Sequence, residues 1–339
     1  MSSPVSQAAS ATPGERAIIE HIRKRLPVTP PSIVVAVGDD AAVVAPERGA
    51  LQVLTTDALV EGVHFDRRFS SLPDVGYKAI AVNLSDVAAM GGTPSLVLLS
   101  LMLPDGTSLD DLDGLLDGVL DMSARARVTV AGGNVTRSPA GLIVDVTAAG
   151  YVRPRRILRR GGGRPGDALY VTGTIGGAAA GLEWLREHAS APLDPLMATA
   201  VGRHRRPEPR LRIGAVLGRA RVASACMDLS DGLADAVRQI AEASGTGAVI
   251  DAAALPIDAG ARAWFLTRGC DPVQAALSGG DDYELLFTLP HRTARRLRSV
   301  ERVSRGVQLT RIGELTVEPA LLVLRDGVPE SLPRGFAHF

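Results

Sequence analysis

The amino-acid sequence predicts an α/β protein, more strictly α+β, with two domains that each pack helices on a mixed sheet. Its length of 339 residues is a soft indication of two domains. Short β-branched runs alternate with segments of helical periodicity in both halves of the chain. A break rich in proline, glycine and arginine at 153–165 separates the halves. We therefore expect a disordered tail at 1–12, a first domain at 13–152 and a second domain at 153–339.

The first domain is predicted to begin with a helix that has Thr12 as its N-cap residue and Pro13 as its first residue. Three strands, a helix, a strand, a helix and two strands follow. We place these elements at 33–37, 41–44, 51–56, 73–90, 95–103, 109–126, 128–131 and 142–152. This order favours a mixed sheet with its helices on one side.

The second domain repeats the alternation of strands and helices. Helices are predicted from the glycine turn at 173–177 to Trp184, at 211–220 and after Gly232. Strands are predicted at 168–172, 222–227, 248–250, 283–289, 307–312 and 321–324. The glycines at 173–177 do not match the dinucleotide-binding fingerprint, which favours close helix packing over phosphate binding.

Composition and charge exclude several classes of protein. The net charge is zero, so no general field attracts nucleic acid or an acidic membrane surface. The longest apolar run, 96–103, is far too short to span a bilayer. The first residues lack the charged and apolar regions of a signal peptide. Cys226 and Cys270 have no metal-binding spacing and are interpreted as reduced core residues of a cytoplasmic protein.

The chain contains only two lysines, Lys24 and Lys78. Neither follows a glycine-rich loop, so the P-loop pattern is absent. The glycine loop, strand lysine and His-Arg-Asp set of protein kinases is absent as well. A nucleotide, if bound, must therefore be held in another way.

Carboxylates interrupt apolar segments at several places. Asn83 and Asp86 are three residues apart and share an otherwise apolar helix face. A carboxylate on such a face needs a partner, because burying it alone costs several kcal/mol (about 2–7 even for an uncharged polar group). The sequence Leu-Ser-Asp recurs at 229–231, directly after Asp228. These positions indicate a divalent metal, and Mg²⁺ with phosphate is the commonest such pairing.

Acidic pairs also close two glycine turns, at 38–40 and 279–282. For Asp39 and Asp40 the alternative is a solvated turn, since Gly-Asp is common turn chemistry. Around 230 the alternative is helix capping, with Ser230 as the N-cap residue and Asp231 as a first-turn acid. Capping leaves Asp228 unexplained.

Six arginines lie within twelve residues at 153–164. They form either a solvated face or a phosphate clamp, since arginine forks match phosphate geometry. Arg160, beside three glycines, is the strongest candidate for the second role.

Eight segments stand in a recognisable order along the chain. They are Val37-Gly38-Asp39-Asp40-Ala41, 56–60 with His64-Phe65, 78–91, Gly132-Gly133-Asn134 with Thr136-Arg137, Arg164-Pro165-Gly166-Asp167, Val171-Thr172-Gly173-Thr174, 228–232, and 278–285 with the Gly-Phe-Ala-His-Phe end. Taken together, they resemble the thiamine-monophosphate kinase family, whose fold is shared with aminoimidazole ribonucleotide synthetase. The likeness extends from about Gly38 to Phe339.

The resemblance implies a homodimer, joined through the N-terminal sheets, that transfers the γ-phosphoryl group of ATP to thiamine monophosphate. It places several Mg²⁺ ions on Asp40, Thr55, Thr56, Asp57, Asp86 and Asp228, with Asp231 nearby. It places ATP near Gly133, Asn134, Arg160 and Ser230. It places thiamine near His64, Asp281 and Phe336. The family often has an aspartate ligand where this chain has Asn134, a neutral and weaker ligand.

The chemistry fits that implication. The acceptor is a phosphate oxygen that is largely ionised near neutral pH, so no general base is required. Mg²⁺ can neutralise and align the two anionic phosphates. Two alternatives stay open: another ATP-dependent enzyme similar to aminoimidazole ribonucleotide synthetase, and a non-catalytic metal-binding dimer. A reactive cysteine before Cys226, or one at the end of the chain, would mark two other relatives, and neither is present.

Overall fold

The structure is a computed structural model, and it describes residues 14–189 and 192–335. The predicted tail at 1–12, the predicted cap Thr12 and the candidate residue Phe336 lie outside these ranges. Within them, no helix is both long and apolar enough to cross a bilayer.

The N-terminal domain has three helices and six strands within the described residues. They are α1 (Glu15–Arg25), β1 (Ile33–Val35), β2 (Val43–Val44), β3 (Leu51–Val60), α2 (Leu72–Ala89), β4 (Thr93–Leu103), α3 (Leu109–Ala126), β5 (Thr129–Arg137) and β6 (Ile143–Val152). The predicted order is confirmed. The first helix begins at Glu15 with Gly14 at its N-cap, so the predicted start at Pro13 is wrong.

Four strands form the main sheet of this domain in the order β3-β6-β4-β5, with β4 and β5 parallel and the other pairs antiparallel. Alternate residues such as Val144, Val146 and Ala148 face α2 and α3 in the main core. We call this the inner face. The opposite, outer face carries Leu54 and Leu98 and is partly covered by the β1–β2 hairpin.

Two strands are longer than predicted. β3 continues to Val60 and therefore has Asp57 in its interior rather than at its end. β5 continues through the glycines to Arg137, because its parallel pairing with β4 resumes after a bulge between Val97 and Leu98. A Cβ on Gly133 would overlap the carbonyl oxygen of Leu99, so close strand packing is sufficient reason for that glycine.

Helix α2 lies at the centre of the molecule, and 14 of its 18 residues are buried. It begins after Ser71, whose hydroxyl accepts a hydrogen bond from the backbone N–H of Asp74, and it stops before Gly91 at φ 69°. One side packs on the inner face of the sheet and on α3. Another side contacts the C-terminal domain, where a Cβ on Gly214 would overlap the carbonyl oxygen of Ala88.

The C-terminal domain has seven helices and seven strands within the described residues. They are β7 (Ala168–Thr172), α4 (Gly177–Glu187), α5 (Ala198–Arg205), α6 (Leu211–Arg219), β8 (Ala225–Asp228), α7 (Leu233–Ser244), β9 (Gly247–Asp251), α8 (Ala259–Thr267), α9 (Pro272–Ser278), β10 (Leu285–Leu289), α10 (Leu297–Ser304), β11 (Leu309–Thr316), β12 (Leu321–Arg325) and β13 (Val328–Ser331). The strands form one mixed sheet in the order β13-β12-β9-β11-β7-β10-β8. Separate core clusters include residues of α7 and α9 on one side and of α6 and α10 on the other.

The contact between α2 and α3 depends on glycine. A Cβ on Gly118 would overlap the carbonyl oxygen of Pro73, whereas one on Gly114 would meet its neighbours at 3.5 Å, an ordinary contact. Gly118→Ala is expected to lower the free energy of unfolding by about 1 kcal/mol, since overpacking (about 1–3 kcal/mol) outweighs the gain in helix propensity (about 1 kcal/mol).

Urea unfolding measures this, with Gly114→Ala as the matched control on the same helix. The control should be neutral or slightly stabilising. Equal effects of the two substitutions would contradict the proposed close contact.

Candidate active site

Three carboxylates lie close together where α2 packs between the N-terminal sheet and the C-terminal domain. They belong to Asp57 of β3, Asp86 of α2 and Asp228 at the end of β8. The alternation of β3 directs Thr55 and Asp57 towards α2, and the Thr55 hydroxyl donates to Asp86 Oδ2 at 2.5 Å. The buried hydroxyl of Ser85 donates to Asp228 Oδ2 at 2.7 Å. We call these three residues the acidic cluster.

Asn83 shares its helix face with Asp86 but has a structural role. Its Nδ2 donates to the carbonyl oxygen of Ala79 at 3.0 Å and lies 3.4 Å from that of Asp57. The side chain therefore ties α2 to β3.

The acidic cluster is electrostatically unfavourable in the absence of a cation. Burial, together with the charges of Asp86, Asp231 and Asp145, raises the pKa of Asp57 to about 6. Burial first, and then the charge of Asp86, raises the pKa of Asp228. Burial also raises the pKa of Asp86, although the Thr55 hydroxyl and the charge of Arg160 oppose this. Asp57 remains the most open of the three to solvent.

The cluster fits Mg²⁺ that is bound together with phosphate. None of the ion pairs among the described residues includes a member of the cluster. Within the same ranges, no three His, Cys, Asp or Glu side chains are grouped tightly enough to enclose an ion by themselves. Mg²⁺ typically takes one or two carboxylates and completes its octahedron with waters and substrate phosphates. The hard oxygen donors present suit that mode of binding.

Several candidate residues from the C-terminal domain lie beside the cluster. Arg160 donates to Gln239 Oε1 on α7 at 2.6 Å, and its charge reaches Asp86. Asp231 is close enough to raise the pKa of Asp57. A Cβ on Gly335, the last described residue, would contact the carbonyl oxygen of Asp231 at 2.7 Å. The chain thus reaches this edge of the cluster one residue before Phe336.

The alternative in which Ser230 caps a helix is wrong. Helix α7 begins at Leu233 with Gly232 at its N-cap, in a left-handed region (φ 95°). The carbonyl oxygen of Ser230 instead accepts from the N–H of Asp281 at 2.7 Å. This pairing of 229–230 with 281–283 determines the path of the loop.

A second polar group lies next to the acidic cluster and includes Asp281. Lys78 Nζ is 2.7 Å from Asp281 Oδ2, and the Tyr283 hydroxyl donates to Asp281 Oδ1 at 3.2 Å. His204 Nδ1 lies 3.5 Å from Oδ2. Burial raises the pKa of the Tyr283 hydroxyl, and the charges of Asp281, Asp228 and Asp57 add to this, so the two groups are neighbours. His64 is held nearby, with its Nδ1 accepting from the N–H of Val60 at 3.1 Å.

The other acids of the 279–284 segment have structural roles. Asp282 accepts from the N–H groups of Gly176 at 2.7 Å and Ala178 at 3.2 Å, at the start of α4. Glu284 is fully buried and accepts from Arg210 Nε at 2.6 Å and from Arg203 Nη1 at 3.0 Å. The acidic pair at 281–282 is therefore not a joint ligand pair.

Sequence reasoning missed Lys78, His204, Tyr283 and Glu284. Lys78 was noted only as one of two lysines. A charged residue on an otherwise apolar helix was the available signal, but its partner is 203 positions away in the chain.

The structure separates other predicted ligands from the acidic cluster. Thr56 lies on the outer face, where its hydroxyl is 3.2 Å from Asp145 Oδ1. Strand register places Asn134 in the same row of that face as Ser100 and Asp145. Asn134 lies inside β5, not at a turn. Asp40 is exposed in the turn between β1 and β2, where its N–H donates to Asp39 at 2.9 Å.

Comparison with known proteins agrees with this architecture. Two family models match, AIR synthase related protein, N-terminal domain, at residues 38–152 and AIR synthase related protein, C-terminal domain, at residues 164–323. These matches define the class as a two-domain protein of the AIR synthase related type.

Similar proteins narrow the assignment further. The thiamine-monophosphate kinase of Escherichia coli K12 is 38% identical over 96% of this chain and 98% of its own. That of Synechococcus elongatus is 38% identical over 89% and 91%. The crystal structure of thiamine-monophosphate kinase from Stenotrophomonas maltophilia K279a superposes with a TM-score of 0.81 at 36% identity, covering 91% of this chain and 95% of that one. The chain belongs to the thiamine-monophosphate kinase family.

The charge of the acidic cluster predicts a pH-dependent stability. Asp57 has a raised pKa in the folded state, so its contribution to stability is full at acidic pH and is lost as the pH rises through about 6. Asp57→Asn resembles the protonated form. In metal-free protein we expect it to raise Tm by roughly 1–3 °C at pH 8, because solvent screening leaves on the order of 1 kcal/mol, and to change Tm little at about pH 4, close to the ordinary pKa of an aspartate.

Thermal unfolding in EDTA at both pH values measures the difference. Asp326→Asn is the control, an exposed turn residue at φ 51° where asparagine is equally accommodated. The same rise at both pH values, or a rise in the control, would contradict the electrostatic explanation.

Proposed function

We propose that this protein transfers the γ-phosphoryl group of ATP to thiamine monophosphate, giving thiamine diphosphate and ADP. The observation that carries the proposal is the acidic cluster, which has no protein cation paired with it among the described residues, in a chain of this family. The structure of AaThiL complexed with AMPPCP and TMP supports it, with a TM-score of 0.76 at 34% identity over 87% of this chain and 89% of that one. Structures of the hydrogenase maturation protein HypE, at 18% identity and a TM-score of 0.76, share the fold alone.

In this reaction an oxygen of the acceptor phosphate forms a bond to the γ-phosphorus as the bond to the β-phosphate oxygen breaks. The acceptor oxygen is already largely ionised near neutral pH, so no side chain needs to remove a proton. When bound, Mg²⁺ supplies neutralisation and alignment of the phosphates.

The chain's own residues bind and orient. Asp57, Asp86 and Asp228 would hold the metal, with the predicted ligands Thr55 and Asp231 beside them. The predicted ligands Thr56 and Asn134, on the outer face, and Asp40, in the β1–β2 turn, lie apart from the cluster and would contact only further Mg²⁺ ions. Arg160, beside Asp86, would contact the ATP phosphates as a guanidinium fork. Gly133, Asn134 and Ser230 complete the predicted ATP site. His64, Asp281 and Phe336 are the predicted contacts of thiamine.

We further infer a cytoplasmic homodimer. The outer face of the N-terminal sheet supports the dimer, since Leu54 is 64% exposed and Leu98 37% exposed on it. Cys226 and Cys270 are both free thiols, as a reducing compartment maintains. Cys226 is buried as predicted, whereas Cys270 is exposed, so its predicted place in the core is wrong. Light scattering at micromolar concentration tests the dimer.

An assay that couples ADP release to NADH oxidation tests the proposed function. Wild-type protein should turn over thiamine monophosphate in the presence of ATP and Mg²⁺. Asp86→Ala should lower kcat at saturating Mg²⁺ by about 10³-fold or more, because removing one preorganised electrostatic contact costs about 10²–10³ and Asp86 also orders its neighbours. Circular dichroism verifies that the variant folds. Near-normal kcat in Asp86→Ala would refute the metal assignment.

Asn134 tests whether the outer-face row contributes to metal binding. The residue is exposed, and Asp145 supplies a carboxylate to the same row. Asn134→Asp is expected to lower the Mg²⁺ concentration for half-maximal rate several-fold, because a carboxylate binds the cation more strongly than an amide does. The gain is limited to about 1 kcal/mol, because the added charge also repels the ATP phosphates. Titration of Mg²⁺ at fixed ATP measures it. Identical curves for the two proteins would exclude Asn134 as a ligand.

A further inference from the structure

Lys78 is an ammonium group buried between the two domains. Its side chain is 4% exposed, although it stands on a helix whose neighbours are apolar. Nζ lies 2.7 Å from Asp281 Oδ2 and 3.5 Å from the backbone carbonyl oxygen of His64. Lys78 thus contacts both His64 and Asp281, the two predicted thiamine-binding residues that the structure describes.

Asp281 is held in a defined orientation by this contact and by two others. Its backbone is left-handed (φ 67°), as is that of Tyr283 (φ 49°), an uncommon conformation for both residue types. Oδ2 faces Lys78 and Oδ1 accepts from the Tyr283 hydroxyl. The Asp281 side chain is 30% exposed to solvent. An oriented carboxylate therefore faces open space.

Lys78 is the cation paired with Asp281 within the described ranges. Burial, together with the charge of Lys78, lowers the pKa of His204 to about 4, so His204 is neutral near pH 7. Partial burial opposes ionisation, but the charge of Lys78 and the hydrogen bonds with His204 and Lys78 hold the pKa of Asp281 well below its usual range. Asp281 stays ionised and keeps an acceptor oxygen for a cationic ligand.

We propose that Lys78 is a positioning residue for the thiamine end of the substrate, which it serves by orienting the Asp281 carboxylate and the His64 backbone. This rests on the proposed function. Thiamine carries a cationic thiazolium ring, and an oriented, ionised carboxylate is the chemistry that recognises it. Lys78 pairs with Oδ2 of Asp281, whereas Oδ1, which accepts one hydrogen bond from Tyr283, keeps a second lone pair for the ligand. Substrate affinity, rather than the phosphoryl transfer step, then depends on Lys78.

A purely structural tie between the domains is the alternative, and the chain offers a matched control for it. Arg206 Nε pairs with Asp74 Oδ1 at 2.6 Å, and Arg206 Nη1 with Asp121 Oδ2 at 3.2 Å. The pair of Arg206 with Asp74 also joins the C-terminal domain to α2. Asp74 lies in the first turn of that helix, and Lys78 lies one turn further along.

The experiment compares Lys78→Gln, Lys78→Arg and Arg206→Gln in steady-state assays that vary each substrate in turn. Lys78→Gln is expected to raise KM for thiamine monophosphate about tenfold or more, since loss of orientation lowers binding, while KM for ATP stays within about twofold. Lys78→Arg, which keeps the charge, should recover part of the loss. Arg206→Gln should lower Tm and leave both KM values unchanged.

A second variant covers the case in which Lys78→Gln does not fold because it leaves a buried carboxylate unpaired. The double variant Lys78→Gln/Asp281→Asn removes both charges. Equilibrium dialysis with thiamine monophosphate should show at least a tenfold loss of affinity in the double variant. Wild-type affinity in the double variant, or equal behaviour of Lys78→Gln and Arg206→Gln, would overturn the inference. Absence of turnover by wild-type protein would instead refute the proposed function.

Discussion

The burial of α2 on all sides is the constraint on which the rest of the molecule depends. A helix surrounded by protein must find a partner for each of its polar side chains, because an unpaired polar group in the interior destabilises the fold. Lys78 finds Asp281, and Ser85 finds Asp228, both in the other domain. Asn83 bonds to its own helix and approaches β3. The same helix thereby joins the domains and aligns the two halves of the site.

The acidic cluster groups buried or partly buried carboxylates that have no paired cation among the described residues, which destabilises the metal-free protein. Elsewhere buried carboxylates have partners: Glu284 has two arginines and Asp282 has two backbone N–H groups. In the acidic cluster, burial instead raises the pKa of all three carboxyl groups, and the charge of Asp86 raises the pKa of Asp57 and Asp228 as well. Such an arrangement is retained where a ligand supplies the missing charge. Any cation that binds these three residues would therefore stabilise the folded protein.

Local sequence signals predicted the bounds of helices better than they predicted which face of a strand each side chain occupies. The bounds of α2 and α3 agree within a residue, since Ser71 and Ser108 cap them and a glycine or left-handed residue follows each. The members of the acidic cluster also follow from the sequence. Two kinds of fact do not. Whether Thr56 or Asp57 faces inward depends on pairing with β6. The loss of the Ser230 cap depends on pairing with a segment fifty residues later.

The buried Glu284 has a consequence for temperature. It is held by Arg203 and Arg210, and Thr172 donates to it as well, at 2.6 Å, so three elements of the C-terminal domain meet at one desolvated carboxylate. The hydration of charged groups becomes less favourable as temperature rises, so the penalty for withdrawing these charges from water declines on warming. The relative contribution of this ionic centre to the folded state therefore grows with heat, while that of the apolar core levels off.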